Sequence, residues 1–176
     1  MGTIFVAGVH AVGKTTCCLA AVQQLGYPHF SASEIIRTEK LSAVPSGTKE
    51  VRDVDENQQL LIRGVDRILD RGQRYFLLDG HFTLLDTLQQ VQTVDIAVFA
   101  RLQIDGVVVY RDDPELIQTR LRERDHHAYD VKLIAMLQDA ELTHAKTVSS
   151  TLQVPIFHLH AFDSAGLIAS VSRIWV

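Results

Sequence analysis

The residues best suited to chemistry stand near the start of the chain, in the run Gly8-Val9-His10-Ala11-Val12-Gly13-Lys14-Thr15. This run satisfies the pattern G-x-x-x-x-G-K-[ST] in full, and a chance match in 176 residues is on the order of 1%. Its glycines let successive backbone N–H groups converge on phosphate oxygens, and a helix N-terminus adds positive potential there. At those positions Lys14 reaches β- and γ-phosphates, the Thr15 hydroxyl ligates Mg²⁺, and Thr16 touches an α-phosphate. A plain glycine-containing turn is the alternative. The placement between a buried apolar run and a helix counts against it, so residues 8–16 are expected to bind a nucleotide such as ATP.

Three further segments carry charge or acid–base chemistry. Phe30-Ser31-Ala32-Ser33-Glu34-Ile35-Ile36-Arg37 places Arg37 at the end of a short helical stretch, where it is a phosphate ligand or a solvated charge. Phe76-Leu77-Leu78-Asp79-Gly80-His81-Phe82 ends a buried strand with Asp79 and His81; the imidazole either orients an attacking oxygen or serves as a hydrogen-bonded structural group. Arg120-Leu121-Arg122-Glu123-Arg124 puts Arg120 and Arg124 on one helical face. They serve a phosphoryl group or pair locally with Glu123 and Asp125.

Taken in order, these segments resemble the nucleoside monophosphate kinases, and adenylate kinases in particular, over most of the chain. FSASEIIR resembles the segment that holds the acceptor nucleotide, FLLDGHF the strand ending in FLLDGFPR, and RLRER the arginine pair flanking the lid. The resemblance implies transfer of the γ-phosphoryl of MgATP to a monophosphate, with AMP favoured. It implies that Ser33 and Arg37 hold the acceptor, that Arg120 and Arg124 close over the transferring group, and that Asp79 orients Mg²⁺ through water. Lys14, Asp79, His81, Arg120 and Arg124 then form the catalytic set. Planar guanidinium forks suit phosphoryl oxygens because they stay charged and bond in pairs.

Two departures qualify the likeness. Thr83 stands where FPR-type adenylate kinases carry arginine. The lid sequence DHHAYD has no Cys cluster, and the adjacent His126 and His127 point apart on a helix, so no zinc lid is expected. Tyr129, Lys132 and the Asp79-Gly80-His81 run are similar to the small nuclear and archaeal adenylate-kinase-like proteins, which act as nucleotide kinases and as ATPases. Two other readings therefore stand beside the monophosphate kinase. One is a P-loop kinase for another small acceptor, such as a nucleoside, a sugar acid or a polynucleotide end. The other is an ATPase whose nucleotide state presents a surface to a protein partner.

The elements that must position these groups alternate between strand and helix. Apolar runs at Ile4–Ala7, Tyr75–Leu78, Gly106–Tyr110 and Ile156–Leu159 read as buried strands, with a shorter one at Tyr27–Phe30. Helices are expected over Thr15–Leu25, from Ser31 to about Leu41, over Glu56–Arg71, from Asp113 to Arg124, over Val131–Leu152 and over Ser164–Ile174. Asp86–Val91 reads as a short helix, and 95–102 fits helix or strand equally. The polar stretch 42–55 and the interruption at 125–130 read as loops able to move. The whole predicts an α/β, three-layer P-loop NTPase fold with about five parallel strands and helices on both faces. Residues 1–176 read as one domain, with an acceptor-binding segment at about 31–72 and a short lid at about 120–132.

Composition sets the bounds around these motifs. Hydrophobic residues make up 47% and charged residues 22%, which supports a packed core and excludes a disordered chain. Seventeen basic against twenty-one acidic residues leave a net charge of −4, which argues against a general nucleic-acid binder. No apolar run approaches a membrane span, and the opening residues lack a secretory signal. Met1-Gly2 is a weak myristoylation signal, because Val6 occupies the Ser/Thr position. Adjacent Cys17 and Cys18 do not readily pair with each other and read as small buried residues in a reducing cytoplasm.

Overall fold

A computed structural model describes residues 2–42, 53–86, 88, 90–126 and 129–175. The elements in chain order are β1 (Gly2–Ala7), α1 (Lys14–Leu25), β2 (His29–Ser31), α2 (Ala32–Ser42), α3 (Asp53–Asp70), β3 (Tyr75–Gly80), β4 (Thr83–Leu85) and β5 (Val91–Thr93). They continue with α4 (Ile96–Arg101), β6 (Ile104–Arg111), α5 (Pro114–Asp125), α6 (Val131–Leu152), β7 (Ile156–His160) and α7 (Ser164–Ile174).

Five strands form one parallel sheet in the order β2-β3-β1-β6-β7. The strand at its centre shows why the sheet sits between two layers. Ile4 and Val6 of β1 join a core with Cys17, Cys18 and Ala21 of α1, Ile117 of α5 and Leu167 of α7. Phe5 and Ala7 join the opposite core with Ile35 of α2, Leu61 and Val65 of α3, Phe99 of α4 and Val148 of α6. Both faces of the strand are therefore buried, which explains its unbroken apolar sequence. This is the expected α/β P-loop fold.

The strand register positions the site. Val6 pairs with Asp79 and Ala7 with Gly80, so β1 and β3 end side by side. The glycine loop after β1 and the acid at the end of β3 therefore emerge together, in the crevice where open α/β sheets bind ligands.

Several boundaries differ from the sequence expectation. Asp79 and Gly80 lie inside β3 instead of after it, and β2 covers His29–Ser31 instead of Tyr27–Phe30. Of the short helix expected at Asp86–Val91, Thr87 and Gln89 lie outside the described residues; Asp86, Leu88 and Gln90 instead join the strands of an antiparallel β4–β5 hairpin, and Val91 is in β5. The physical reason is local. Asp86 accepts N–H bonds from Leu88 (2.8 Å) and Gln90 (2.9 Å), and its own N–H donates to the Gln90 carbonyl at 3.0 Å. These bonds satisfy the backbone as a turn, and β-branched Thr83, Val91 and Thr93 favour the flanking strands. The ambiguous 95–102 stretch contains α4, capped by the Asp95 side chain, which accepts from Ala97 N.

The interruption between α5 and α6 follows its sequence. His126 ends α5 in the left-handed conformation, and Asp130 caps α6 by accepting from Lys132 N. Of the two expected loops, residues 43–52, His127 and Ala128 lie outside the described residues. Among the described residues no helix is long and apolar enough to cross a membrane.

Candidate phosphate and acceptor site

The loop between β1 and α1 is shaped by positions that only glycine satisfies. Gly8 has φ 141° and Gly13 φ 85°, and Ala11 also stands at positive φ, 64°. A Cβ on Gly8 would lie 2.7 Å from the Tyr110 carbonyl oxygen, and one on Gly13 would lie 2.5 Å from the Phe162 ring. Backbone conformation and close packing thus exclude side chains at both ends of the loop.

Lys14 folds back over this loop. Its Nζ donates to the Gly8 carbonyl at 2.6 Å and the Val9 carbonyl at 3.1 Å, with only 8% of the residue exposed. Burial lowers the ammonium pKa, while the charges of Asp79 and Glu141 oppose that fall. The same helix start presents the Thr15 hydroxyl, which donates to Asp79 Oδ2 at 3.0 Å. His29 Nε2 lies 2.9 Å from that oxygen. Burial works against the Asp79 charge, but His29, Thr15 and Lys14 outweigh it and hold the carboxyl below its ordinary range. Hard oxygen donors beside a phosphate loop suit Mg²⁺, so Thr15 and Asp79 form a fitting pair for that ion.

Two residues after Asp79, the chain makes a second polar contact. His81 Nδ1 lies 3.0 Å from Glu141 Oε1, and Phe82 N donates to the other Glu141 oxygen at 2.6 Å. Burial pushes the Glu141 carboxyl up to about 7, while burial together with Lys14 pushes the His81 imidazole down to about 3. The His10 ring packs against the His81 ring with centroids 4.6 Å apart. Burial, His81 and Lys14 lower His10 to about 4. A neutral imidazole thus rests on a carboxyl group that titrates near neutrality. When Glu141 is ionised it accepts Nδ1–H and leaves Nε2 as an acceptor.

The arginine pair borders the phosphate loop. Residues His10–Thr16, Arg120, Arg124 and Phe162 line one open cavity. Arg120 donates to the Ala11 carbonyl at 3.2 Å and to Asp112, and it stacks over the Phe162 ring at 4.9 Å. Gln138 holds the Asp112 backbone by two hydrogen bonds, Asp112 N to Oε1 and Nε2 to the Asp112 carbonyl. Arg124 pairs with Asp125, which also accepts from the Tyr129 hydroxyl. Of the acids adjacent to the pair, Asp125 is thus a local partner of Arg124, through an exposed contact that a phosphate can exchange.

A second space opens from Lys14, Thr15, Asp79 and His81 toward α2, α3 and α4, with a volume of about 380 Å³. Ser33 lines it, and its hydroxyl lies 2.9 Å from that of Ser31. Arg37 is exposed on α2 and is not among the residues lining this cavity.

Sequence reasoning missed Glu141, His29 and Asn57. Glu141 sits on the buried stripe of α6 with Ile134, Gln138, Ala145 and Val148, and a carboxylate at an apolar-stripe position was a readable signal. His29 carried no such mark, because its partner lies 50 residues away.

The profile of a family described as AAA domain, AAA_17, matches residues 7–137. A curated relative, UMP-CMP kinase 3 of Arabidopsis thaliana, is 33% identical over 82 residues, covering 44% of this chain. The match spans 41% of that relative's length. Among solved structures, a gluconokinase from Sinorhizobium meliloti aligns with a TM-score of 0.56 and 15% identity, covering 98% of this chain and 92% of that one. A sugar kinase from a Janibacter species aligns with a TM-score of 0.56 and 17% identity, covering 99% and 94%. At these identities the structural likeness concerns the fold.

Proposed function

The chain belongs to the AAA domain family AAA_17, and from that premise we propose that it transfers the γ-phosphoryl group of ATP to a nucleoside monophosphate. The observation that carries this reading is the continuity of the cleft. The cavity of about 380 Å³ starts at Lys14, Thr15 and Asp79 and runs on between α2, α3 and α4. An acceptor held there lies beside the phosphoryl group held by residues 8–16.

Phosphoryl transfer asks a protein mainly for positioning and charge neutralisation. In this reading Gly8, Val9, His10, Ala11, Val12 and Gly13 cradle the triphosphate with backbone N–H groups, and Thr16 supports the α-phosphate. Lys14 exchanges the Gly8 and Val9 carbonyls for phosphate oxygens. Thr15 and Asp79 hold Mg²⁺, which when bound neutralises phosphate charge. Arg120 and Arg124 converge on the transferring group from the lid side. Ser33 contacts the acceptor, and Arg37, one helical turn along α2, engages its monophosphate.

The test is an acceptor panel. ATP with AMP, CMP, UMP and GMP should yield at least one nucleoside diphosphate, and Lys14→Ala should abolish it without loss of fold. AMP is the acceptor that the sequence resemblance favours; the name of the Arabidopsis relative supports including UMP and CMP.

One observation favours a second reading. The His81–Glu141 pair is built like a proton relay: Nε2 accepts from an acceptor hydroxyl while Nδ1–H passes to Glu141, the group of the two that titrates near neutrality. An anionic phosphate acceptor needs no such relay, whereas a sugar hydroxyl or water does. Adding gluconate, hexoses and a water-only control to the panel separates the two readings.

A further inference from the structure

Arg120 and Arg124 differ in what holds them. Arg124 pairs with its sequence neighbour Asp125 in a contact that solvent reaches. Arg120 is fixed from three sides. It donates to Asp112 Oδ2 and, at 3.2 Å, to the Ala11 carbonyl, and its guanidinium lies 4.9 Å from the centre of the Phe162 ring. Asp112 is itself held in place. Its Oδ1 accepts from Asp113 N at 2.9 Å. Its backbone N–H and carbonyl both bond to the Gln138 amide, at 3.0 and 2.9 Å. Gln138 is only 2% exposed on α6, so a buried polar side chain spends a donor and an acceptor on this one residue between β6 and α5.

The far end of this chain of contacts is the phosphate loop. Ala11 stands at φ 64°, a conformation that residues with a Cβ rarely adopt. A peptide flip beside Ala11 would relieve that strain and could turn its carbonyl on a bound anion, where it would repel phosphate oxygens. The Arg120 bond to that carbonyl opposes the flip. The next carbonyl, that of Val12, accepts from the Phe162 N–H at 3.2 Å, and the Phe162 ring packs on Gly13. Two consecutive loop carbonyls are thus engaged, and neither is free to turn toward phosphate.

We propose that Asp112 and Gln138 are positioning residues for the donor nucleotide. Gln138 fixes Asp112, Asp112 fixes Arg120, and Arg120 holds Ala11 in the shape that binds phosphate. The loop is then formed before ATP arrives, so binding does not spend free energy on ordering it. Arg120 has five N–H groups, of which Asp112 and Ala11 take one each. Because Arg120 also lines the open cavity with residues His10–Thr16, the others remain for phosphate oxygens. The proposal rests on nucleotide binding at residues 8–16, as in the reading above, and on no particular acceptor.

The experiment measures calorimetric affinity for a non-hydrolysable ATP analogue, with Mg²⁺ present, in the wild type and in single and double variants. Asp112→Ala and Gln138→Met should each weaken binding roughly 5- to 20-fold, within the span of couplings inside one contact network. Asp112→Asn keeps an acceptor oxygen for Arg120 and should stay within about threefold of the wild type. In an Arg120→Met background, Asp112→Ala and Gln138→Met should have no further effect, whereas a merely structural role would weaken binding in both backgrounds. Hydrogen exchange of the ligand-free protein gives a second readout: amides of residues 9–13 should exchange faster in Asp112→Ala, Gln138→Met and Arg120→Met alike. Melting curves establish that each variant is folded, and partly exposed Asp112 carries the test if Gln138→Met does not fold. Unchanged affinity in Asp112→Ala, or a loss that persists after Arg120→Met, overturns the proposal. So does loop exchange that only Arg120→Met alters. If the wild type binds no ATP analogue, the nucleotide reading falls with it. If these couplings hold while no monophosphate accepts phosphate, the proposal stands and the monophosphate reading falls.

Discussion

The donor and acceptor ends of the cleft are built by different means. At the donor end, consecutive residues supply nearly everything: the loop from Gly8 to Thr15, with Lys14 held 2.6 Å from the Gly8 carbonyl. At the acceptor end, His81 meets Glu141 across 60 residues, and Asn57 comes from yet another helix. The difference teaches where specificity resides. Under the proposed function, phosphate recognition uses backbone geometry that many sequences share, whereas acceptor choice rests on side chains gathered from separate elements.

Breaking the donor end should have the largest effect. Lys14→Ala should lower kcat/KM at least about 100-fold, as expected when a charged transition-state contact is removed. Steady-state kinetics at saturating acceptor checks this, with far-UV circular dichroism unchanged. Gly13→Ala should come next. Its Cβ meets the Phe162 ring at 2.5 Å and its φ of 85° disfavours a side chain. The strain is on the order of 1–3 kcal/mol. The melting temperature should fall, and ATP affinity should fall with it.

At the acceptor end, Glu141→Gln should lower kcat for a hydroxyl acceptor or water, because Glu141 acts through His81, while transfer to a monophosphate and KM for ATP change little. Glu141 also gives stability a pH signature. The folded-state pKa of Glu141 is raised from 4.5 to about 7, so between those values the folded protein binds more protons than the unfolded chain. Stability from this group therefore falls as pH rises through that window. Relative to Glu141→Gln, the wild type should lose melting temperature from pH 4.5 to 7; a constant difference would contradict the shift. The smallest effect belongs to Arg37→Ala, a several-fold rise in acceptor KM without change for ATP. Equal rises for both would remove Arg37 from the acceptor contacts.

The contrast between the two ends also governs what the sequence revealed. The parallel sheet was legible because each central strand is buried on both faces and reads as an apolar run. The phosphate loop was legible because its chemistry is contiguous. The β4–β5 hairpin was not, since its turn depends on how Asp86 spends its oxygens on Leu88 and Gln90. Two adjacent cysteines read as core residues, and both are buried; yet Cys18 also stands with His29 and Asp79 in a group spanning no more than 4.8 Å. His29 escaped notice because only the fold supplies its partner, 50 residues away; Glu141 did carry a signal, its place on the buried stripe of α6. For Thr83, the sequence showed a missing arginine; the structure shows a buried hydroxyl without a partner among the described residues.

The most direct measurement is phosphorus NMR of the protein with MgATP and each nucleoside monophosphate in turn. The account predicts that ATP is converted to ADP with an equal amount of the acceptor's diphosphate, for at least one base. Inorganic phosphate as the sole product, or transfer only to a sugar hydroxyl, would contradict it.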